Sequence, residues 1–401
     1  MSSQHHQHIV IGGGISGLSS AYYAARAGVD TVLLEREQRV GGCMHTHNFS
    51  ELDHFWVEAG SHSCFNSYGN LLDILEDIGL LQRATPKEKQ AYKLWRGGKR
   101  KSILSALHVA ELVLSIPQLF WQSKSNCSVL EYYGRGLGKR NYRDLFGPAF
   151  RSVVCQTADE FPAEALFRKK PRRKEVLRNF TMPNGLSEIP ATIAKTPGMR
   201  VELGQAVSAV GSHNSHFVIQ REDGCEYTCD YLTLAVPPDI AVPLLRDIAP
   251  SAANAVGDIG MAEIDTLLLA FYEFDIPTDK MAGLISIDGP FLSAVSRDFM
   301  ADEQQRRGFA FHFPGGRYEA AERIKAACDA LDVAPDKPAA IAHSKNRLPS
   351  LRKGHQQLID RLDQELVSRP LATTGNWFLG VSIEDCITRS RKEHARLFGS
   401  R

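Results

Sequence analysis

The sequence predicts an α/β fold in which a parallel nucleotide-binding sheet is interleaved with a mixed-sheet domain and a helical insertion. Three observations predict it. An apolar strand runs into a glycine-rich turn near the N-terminus, an acidic residue closes a second apolar strand soon after, and a strand–glycine turn–helix pattern recurs near the C-terminus. The 401 residues are too many for one ordinary core, so two or three domains are expected. With 43% hydrophobic and 23% charged residues, the composition is globular and excludes disorder or a fibre. A formal net charge of +1 supplies no field for nucleic acid, and no nucleic-acid partner is expected.

His8-Ile9-Val10-Ile11 reads as a short buried parallel strand, apolar after its first residue. It leads into Gly12-Gly13-Gly14-Ile15-Ser16-Gly17, which satisfies G-x-G-x-x-G. Leu18 to Ala27 has helical character, Gly28 can end that helix, and Thr31-Val32-Leu33-Leu34 is the second strand. Glu35 closes it, 18 residues past Gly17. Each part has a physical task. Gly12 permits the tight turn, Gly14 lets backbone approach a pyrophosphate, and Gly17 lets helix and strand pack closely. The helix N-terminus offers unpaired N–H groups and partial positive charge to phosphates. Glu35 is placed to accept hydrogen bonds from ribose hydroxyls, and its charge repels a 2′-phosphate. Together these predict dinucleotide binding on a Rossmann-type unit.

The next segments narrow the dinucleotide. Glu35-Arg36 is followed by Val40-Gly41-Gly42-Cys43 and then by Glu58-Ala59-Gly60-Ser61-His62. The second glycine pair lets backbone wrap the pyrophosphate from the other side. This arrangement resembles the flavin-containing amine oxidase superfamily, and within it the protoporphyrinogen oxidases. Nicotinamide dehydrogenases usually lack the extension. The resemblance implies non-covalent FAD, contacted by Gly12, Gly13, Gly14, Ile15, Ser16, Gly17, Glu35, Arg36, Gly41, Gly42, Cys43, Gly60, Ser61 and His62. It continues through an amphipathic helix at Leu71 to Leu81 and a hairpin at Lys93-Leu94-Trp95-Arg96-Gly97-Gly98-Lys99. Ser102 to Phe167 matches a helical substrate-binding insertion, and Asn184-Gly185-Leu186 the turn back to the FAD domain. Val207 matches the position whose backbone meets the adenine, and Ala235-Val236-Pro237 the turn beneath the pyrophosphate.

Toward the C-terminus, Leu371 to Gly375 and Asn376-Trp377 lead to Gly380-Val381-Ser382-Ile383-Glu384-Asp385-Cys386. Ser382 and Asp385 have capping-box spacing, which marks a helix start near Ile383. In flavoproteins of this class such a helix aims its N-terminus at the flavin N1 and C2 oxygen, where its dipole stabilises negative charge. Gly375, Gly380, Val381, Ser382 and Ile383 are the implied contacts, and this segment most resembles protoporphyrinogen oxidases. The implied organisation is a FAD-binding domain from residues 1–85, 176–240 and 346–401, a helical substrate or membrane-side insertion at 86–175, and a substrate-binding domain at 241–345.

The resemblance implies a FAD-dependent oxidoreductase that removes hydride from a small molecule, the protein supplying position and field. No metal is expected: Cys225 and Cys229 form the one close cysteine pair, and no zinc-site partner follows. Amine oxidases of this superfamily typically carry a lysine near flavin N5, on a strand matching Ala262 to Phe271, yet no lysine occurs between Lys195 and Lys280. Protoporphyrinogen oxidases do without it and anchor a propionate by a basic residue after the hairpin, where Arg100 and Lys101 stand. Among single histidines, His62 is nearest the flavin segment and is the catalytic candidate to test. Three departures stand against a tetrapyrrole: no glycine between Gly147 and Gly185, Arg389-Ser390 where the family has a small residue and glycine, and a short chain. The leading reading is therefore oxidation of a bulky, partly apolar, carboxylated substrate. An amine or amino-acid oxidase or desaturase is the alternative, and a flavin-binding partner protein without turnover the third.

Eight scattered cysteines and no signal-type apolar segment at the start suggest free thiols in the cytoplasm. His5, His6 and His8 are read as a frayed tail rather than a metal site. Ile103 to Trp121 is the longest apolar stretch, but His108, Glu111 and Pro117 argue against a bilayer span. A buried helix is expected there, with membrane-surface contact as the alternative. Arg168 to Lys174 is a charge run expected in a solvated loop. A homodimer is left open.

Overall fold

The computed structural model describes residues 4–399. Its first sheet grows from the predicted βαβ unit. Gln4–Ile11 pairs in parallel with Thr31–Leu34 on one side and with Glu226–Leu234 on the other. Met199–Glu202 extends the sheet past Thr31–Leu34, and the antiparallel strands His216–Arg221 and Val207–His213 extend it past Glu226–Leu234. Leu371–Thr373 then pairs in parallel with the late half of Glu226–Leu234. The four residues Thr31-Val32-Leu33-Leu34 are all buried, as expected of a parallel strand covered on both faces. Helix Ile15–Arg26 covers one face, and helix Ile383–Phe398 packs on that helix.

One expectation fails at the start of the chain. Residues 4–8 are not frayed: Gln4 to His8 pair in register with Tyr227 to Tyr231. His8 is buried and bonds Thr233, and His5 lies on the face that carries His216 and Asp230.

The second sheet is almost wholly antiparallel. The long strand Gly260–Tyr272 lies between Ala340–Ser350 and Arg306–Pro314, followed by Ser293–Ser296 and Gly283–Ser286. The predicted hairpin, Tyr92–Arg96 with Lys99–Ser102, completes it through parallel pairing with Gly283–Ser286. Strand alternation gives this sheet two distinct faces. Leu267, Leu269, Phe271 and Trp95 pack under helix Ala320–Leu331, while Leu268, Ala270 and Ala310 pack against Phe55 and Val57 beside the first sheet.

Residues 103–166 are largely helical, yet the apolar stretch is not a buried helix. It breaks at Ile116-Pro117 into Val109–Ser115 and Pro117–Trp121, and neither segment has a buried residue. Leu114, Phe120 and Trp121 are 80%, 83% and 87% exposed. Among the described residues no helix is long and apolar enough to cross a membrane.

Candidate active site

The glycine-rich turn packs so closely that two of its positions admit no side chain. A Cβ at Gly17 would lie 1.8 Å from the Gly12 carbonyl oxygen, and one at Gly12 would lie 2.5 Å from that of Ala235. Gly14 differs, because nothing lies within 4 Å of where its Cβ would be. It is the N-cap of helix Ile15–Arg26 and offers no capping side chain, so the first N–H groups of the helix meet open space. That space suits a pyrophosphate. The second glycine pair closes on the first: Gly41 N–H donates to the Gly13 carbonyl at 2.8 Å, and Gly14 bridges Gly41. Glu35 stands at the strand end, accepting from Gly13 N–H at 2.5 Å and Glu37 N–H at 2.8 Å. Arg36 is exposed and paired only with Glu37. Ala235 N–H donates to the Ile11 carbonyl beneath the turn, and Val207 begins its strand at a register shift. These residues fit a dinucleotide with FAD's adenosine and pyrophosphate.

Cys43 continues the second glycine pair toward the seam between the sheets. Its carbonyl accepts Ser61 N–H at 2.9 Å, and a Cβ at Gly60 would collide with that carbonyl at 2.0 Å. Burial pushes the Cys43 thiol up. Beyond Gly60 and Ser61, His62 turns into the seam, where its Nε2 lies 3.1 Å from Nε2 of His312. His312 Nδ1 lies 3.1 Å from Thr266 Oγ1, and Asn346 donates its amide to the Ala59 carbonyl at 2.9 Å. Burial holds His312 down at about 4 and His62 well below its ordinary value. The pair is therefore neutral near pH 7, with one Nε2 donating and the other accepting.

Two further ionisable groups underlie the pair. The Lys87 ammonium donates to the His62 carbonyl and to Ser63 Oγ, both at 2.8 Å, and stacks over Phe299. Burial lowers it to about 8. Glu58 accepts from Leu186 N–H at 2.7 Å and Thr46 Oγ1 at 2.8 Å, and burial raises it to about 7. His312 counted among the single histidines read as structural, and Lys87, Thr266 and Asn346 escaped the sequence reading because no local motif marks them.

The C-terminal helix begins where expected. Ser382 accepts Asp385 N–H at 3.2 Å as N-cap of Ile383–Phe398. Lys170 joins this cap, 3.1 Å from Ser382 Oγ and 2.8 Å from Asp385, so the charge run is not simply solvated. Arg173, in the same run, pairs with Glu76 and Glu175. Gly380 is enclosed, its missing Cβ 3.0 Å from the Ala165 carbonyl, and Gly375 packs on Trp377. The Arg389-Ser390 departure also has a structural basis. Arg389 is buried between Asp363 and Glu393 and stacked on Phe378, while Ser390 donates to the Ser16 carbonyl at 2.8 Å.

Arg100 is not brought to this site. It pairs with Asp332 and donates to the Ala330 carbonyl, at the end of helix Ala320–Leu331. That helix covers the face opposite to the one carrying His312 and Thr266. Lys101 is exposed on the hairpin and lies beside Leu94 in register. No lysine stands on Gly260–Tyr272, and Asp265 turns outward to Arg323.

Residues 15–136 and 134–274 match the family of flavin containing amine oxidoreductases. The chain is 23% identical over 477 aligned positions to protoporphyrinogen oxidase of Bos taurus, covering 98% of both proteins. It is 22% identical over 383 positions to polyamine oxidase 4 of Oryza sativa subsp. japonica, covering 88% of this chain and 75% of the relative. A structure from Exiguobacterium sp. 255-15, provisionally assigned as a protoporphyrinogen oxidase, superposes with TM-score 0.79 at 18% identity over 98% of each chain. The glycine cradle, the sheet order and these likenesses converge: the chain belongs to the flavin containing amine oxidoreductase family and is a FAD-dependent oxidoreductase.

Proposed function

We propose that the enzyme oxidises a bulky, partly apolar, carboxylated small molecule, in the manner of a protoporphyrinogen oxidase. The supporting observation is the seam: a buried, neutral His62–His312–Thr266 array built on the lysine-free strand Gly260–Tyr272 and its neighbour Arg306–Pro314. Bound FAD supplies the hydride-accepting chemistry. The chain's own residues do the rest. Gly12 to Gly17, Gly41 and Gly42 hold the pyrophosphate by backbone, Glu35 the ribose, and Val207 the adenine. Lys170, paired with Asp385, fixes the cap of helix Ile383–Phe398, whose N-terminal N–H groups would favour negative charge on the flavin's pyrimidine edge. His62 is the residue proposed to meet the reacting substrate, its ring oriented by the 3.1 Å contact with His312. Residues 1–85, 176–240 and 346–401 form the FAD-binding domain in this reading, 86–175 the insertion and 241–345 the substrate domain, with hairpin Tyr92–Ser102 joining the substrate sheet.

Anaerobic titration of the yellow protein with protoporphyrinogen, following flavin bleaching, tests the substrate. Rapid bleaching with porphyrin fluorescence supports it. No bleaching by protoporphyrinogen, with bleaching by an amine, overturns it in favour of an amine oxidase.

The exposed apolar stretch favours a second element of the reading, peripheral contact with a lipid surface. Leu114, Phe120 and Trp121 are exposed, as is Arg140, whose backbone N–H bonds Glu111 of helix Val109–Ser115. Co-sedimentation with phosphatidylglycerol vesicles, lost in Leu114→Asn/Phe120→Asn/Trp121→Asn, is the expected result. Equal sedimentation of both proteins removes the membrane contact.

A further inference from the structure

With Arg100 turned away, the basic side chains available to a carboxylate lie elsewhere. A cavity of about 820 Å³ opens in the helical insertion, bounded by helices Val129–Gly136 and Gly147–Val154 and closed at one end by Ile287 of the second sheet. Its size is that of a small-molecule site. Four cationic side chains line it, Arg135, Lys139, Arg143 and Arg151, against two carboxylates, Glu131 and Asp159, a formal net of +2.

Most of the negative charge is already engaged. Glu131 pairs with Lys353 and caps its own helix at Ser128 N–H, and Asp159 accepts the Tyr142 hydroxyl at 2.7 Å. Among the cations only Arg143 has a carboxylate partner, Asp144. Arg151 is the deepest of the four. Its Nη2 donates to the Ser286 carbonyl, its Nε is buried with no partner, and burial lowers its affinity for the proton. Among the described residues its Nη1 has no hydrogen-bond partner and is not among the enclosed atoms, which leaves it as the donor for a ligand oxygen. Leu130, Tyr142, Pro148 and Ile287 supply apolar wall.

We propose that this cavity is the carboxylate-anchoring subsite of the substrate, with Arg151 as its specificity-determining residue and Arg135 and Lys139 as a cationic rim. It takes an anionic amphiphile, apolar body against Leu130 and Ile287 and carboxylate toward Arg151, and it repels alkylammonium ions. This rests on the carboxylated-substrate reading above and names the residues that would enforce it.

The test is calorimetric titration of the FAD-loaded protein at pH 7.5 with dodecanoate below its micellar concentration, alongside dodecylamine and acetate. Dodecanoate is expected to bind, and acetate and dodecylamine to give no measurable heat of binding. Arg151→Gln is expected to weaken dodecanoate about tenfold or more, the loss of one charge-assisted contact. Arg151 also ties its helix to the second sheet, so Arg135→Gln/Lys139→Gln, which alters exposed rim residues, provides an independent arm with a weakening of several-fold. Equal dodecanoate affinity in all three proteins, or dodecylamine binding as tightly as dodecanoate, overturns the proposal. Its failure is distinguishable from that of the oxidase reading. Charge-dependent dodecanoate binding without bleaching by protoporphyrinogen keeps this subsite and discards that substrate; bleaching that none of the substitutions affects keeps the substrate and discards the subsite.

Discussion

The glycine-rich end of the first sheet and the seam between the sheets are built on opposite principles. The first is backbone. Its selectivity comes from carbonyls and N–H groups packed so tightly that a Cβ at Gly17 would sit 1.8 Å from a carbonyl oxygen. The second is side chain. His62, Lys87, Thr266, His312 and Asn346 come from separate parts of the chain, and burial sets their protonation. A backbone site recognises phosphate and tolerates no added atoms; a side-chain site sets proton affinity and tolerates change with graded loss. The glycine cradle and the protonation of the seam are therefore separately mutable in this enzyme.

The largest expected effects break the backbone site in two ways. Gly14→Val fills open space, so the protein should fold with ordinary circular dichroism yet carry no FAD. Gly17→Ala drives a methyl into backbone and should lose both FAD and fold. Flavin absorbance per mole of protein, measured with thermal unfolding, separates the two, and a yellow Gly14→Val protein would refute the cradle. Next is Arg389→Ala, which removes the buried cation shared by Asp363 and Glu393 and leaves each only its outer partner, Lys392 and Arg396 respectively. Urea unfolding should show a loss of about 3–5 kcal/mol, the scale for breaking a buried pair.

The seam gives a pH-dependent effect. The Glu58 carboxyl binds its proton more tightly when folded, at about 7 against an ordinary 4.5. Its contribution is full below about pH 4.5 and is lost as the pH rises through 7. Glu58→Gln should flatten that decline, worth about 3 kcal/mol at one pKa unit per 1.36 kcal/mol, with Lys87 and Arg297 still present beside it. An unchanged slope of unfolding free energy between pH 4.5 and 7 would show that another group carries it. The smallest effect is expected at the hairpin. Arg100→Ala/Lys101→Ala breaks a pair with Asp332 that is half-buried on the Arg100 side and should cost about 1 kcal/mol. It should leave substrate kinetics unchanged, and a raised KM would bring the hairpin back into the site.

What could be read without coordinates follows the same division. The turn at Gly12 to Gly17, Glu35 at the second strand end, the second glycine pair and the Ser382 cap were all legible, because each is a local pattern in which spacing alone dictates geometry. The seam was only half legible. His62 could be suspected from its place after Gly60, but His312 lies 250 residues away and carries no mark of its own. Arg100 was assigned to substrate on its position after the hairpin, and its partner Asp332, 232 residues later, shows that strand alternation sends it to the far face. Arg151 carried no mark, and the stretch around Phe120 was read as a buried helix with membrane-surface contact as the alternative, since apolar composition does not say what will cover it.

The sequence by itself determined the dinucleotide unit, the cofactor class and the start of the C-terminal helix. These depend on backbone freedom at glycine, on hydrogen bonds a few residues long and on runs of apolar residues that short-range periodicity reveals. Only the tertiary structure decided which side chains meet. The pairing of His62 with His312 and the capture of Arg100 by Asp332 depend on strand register and packing across hundreds of residues, and the gathering of cations around Arg151 on how neighbouring helices pack. A one-residue change of register would send each side chain to the opposite face.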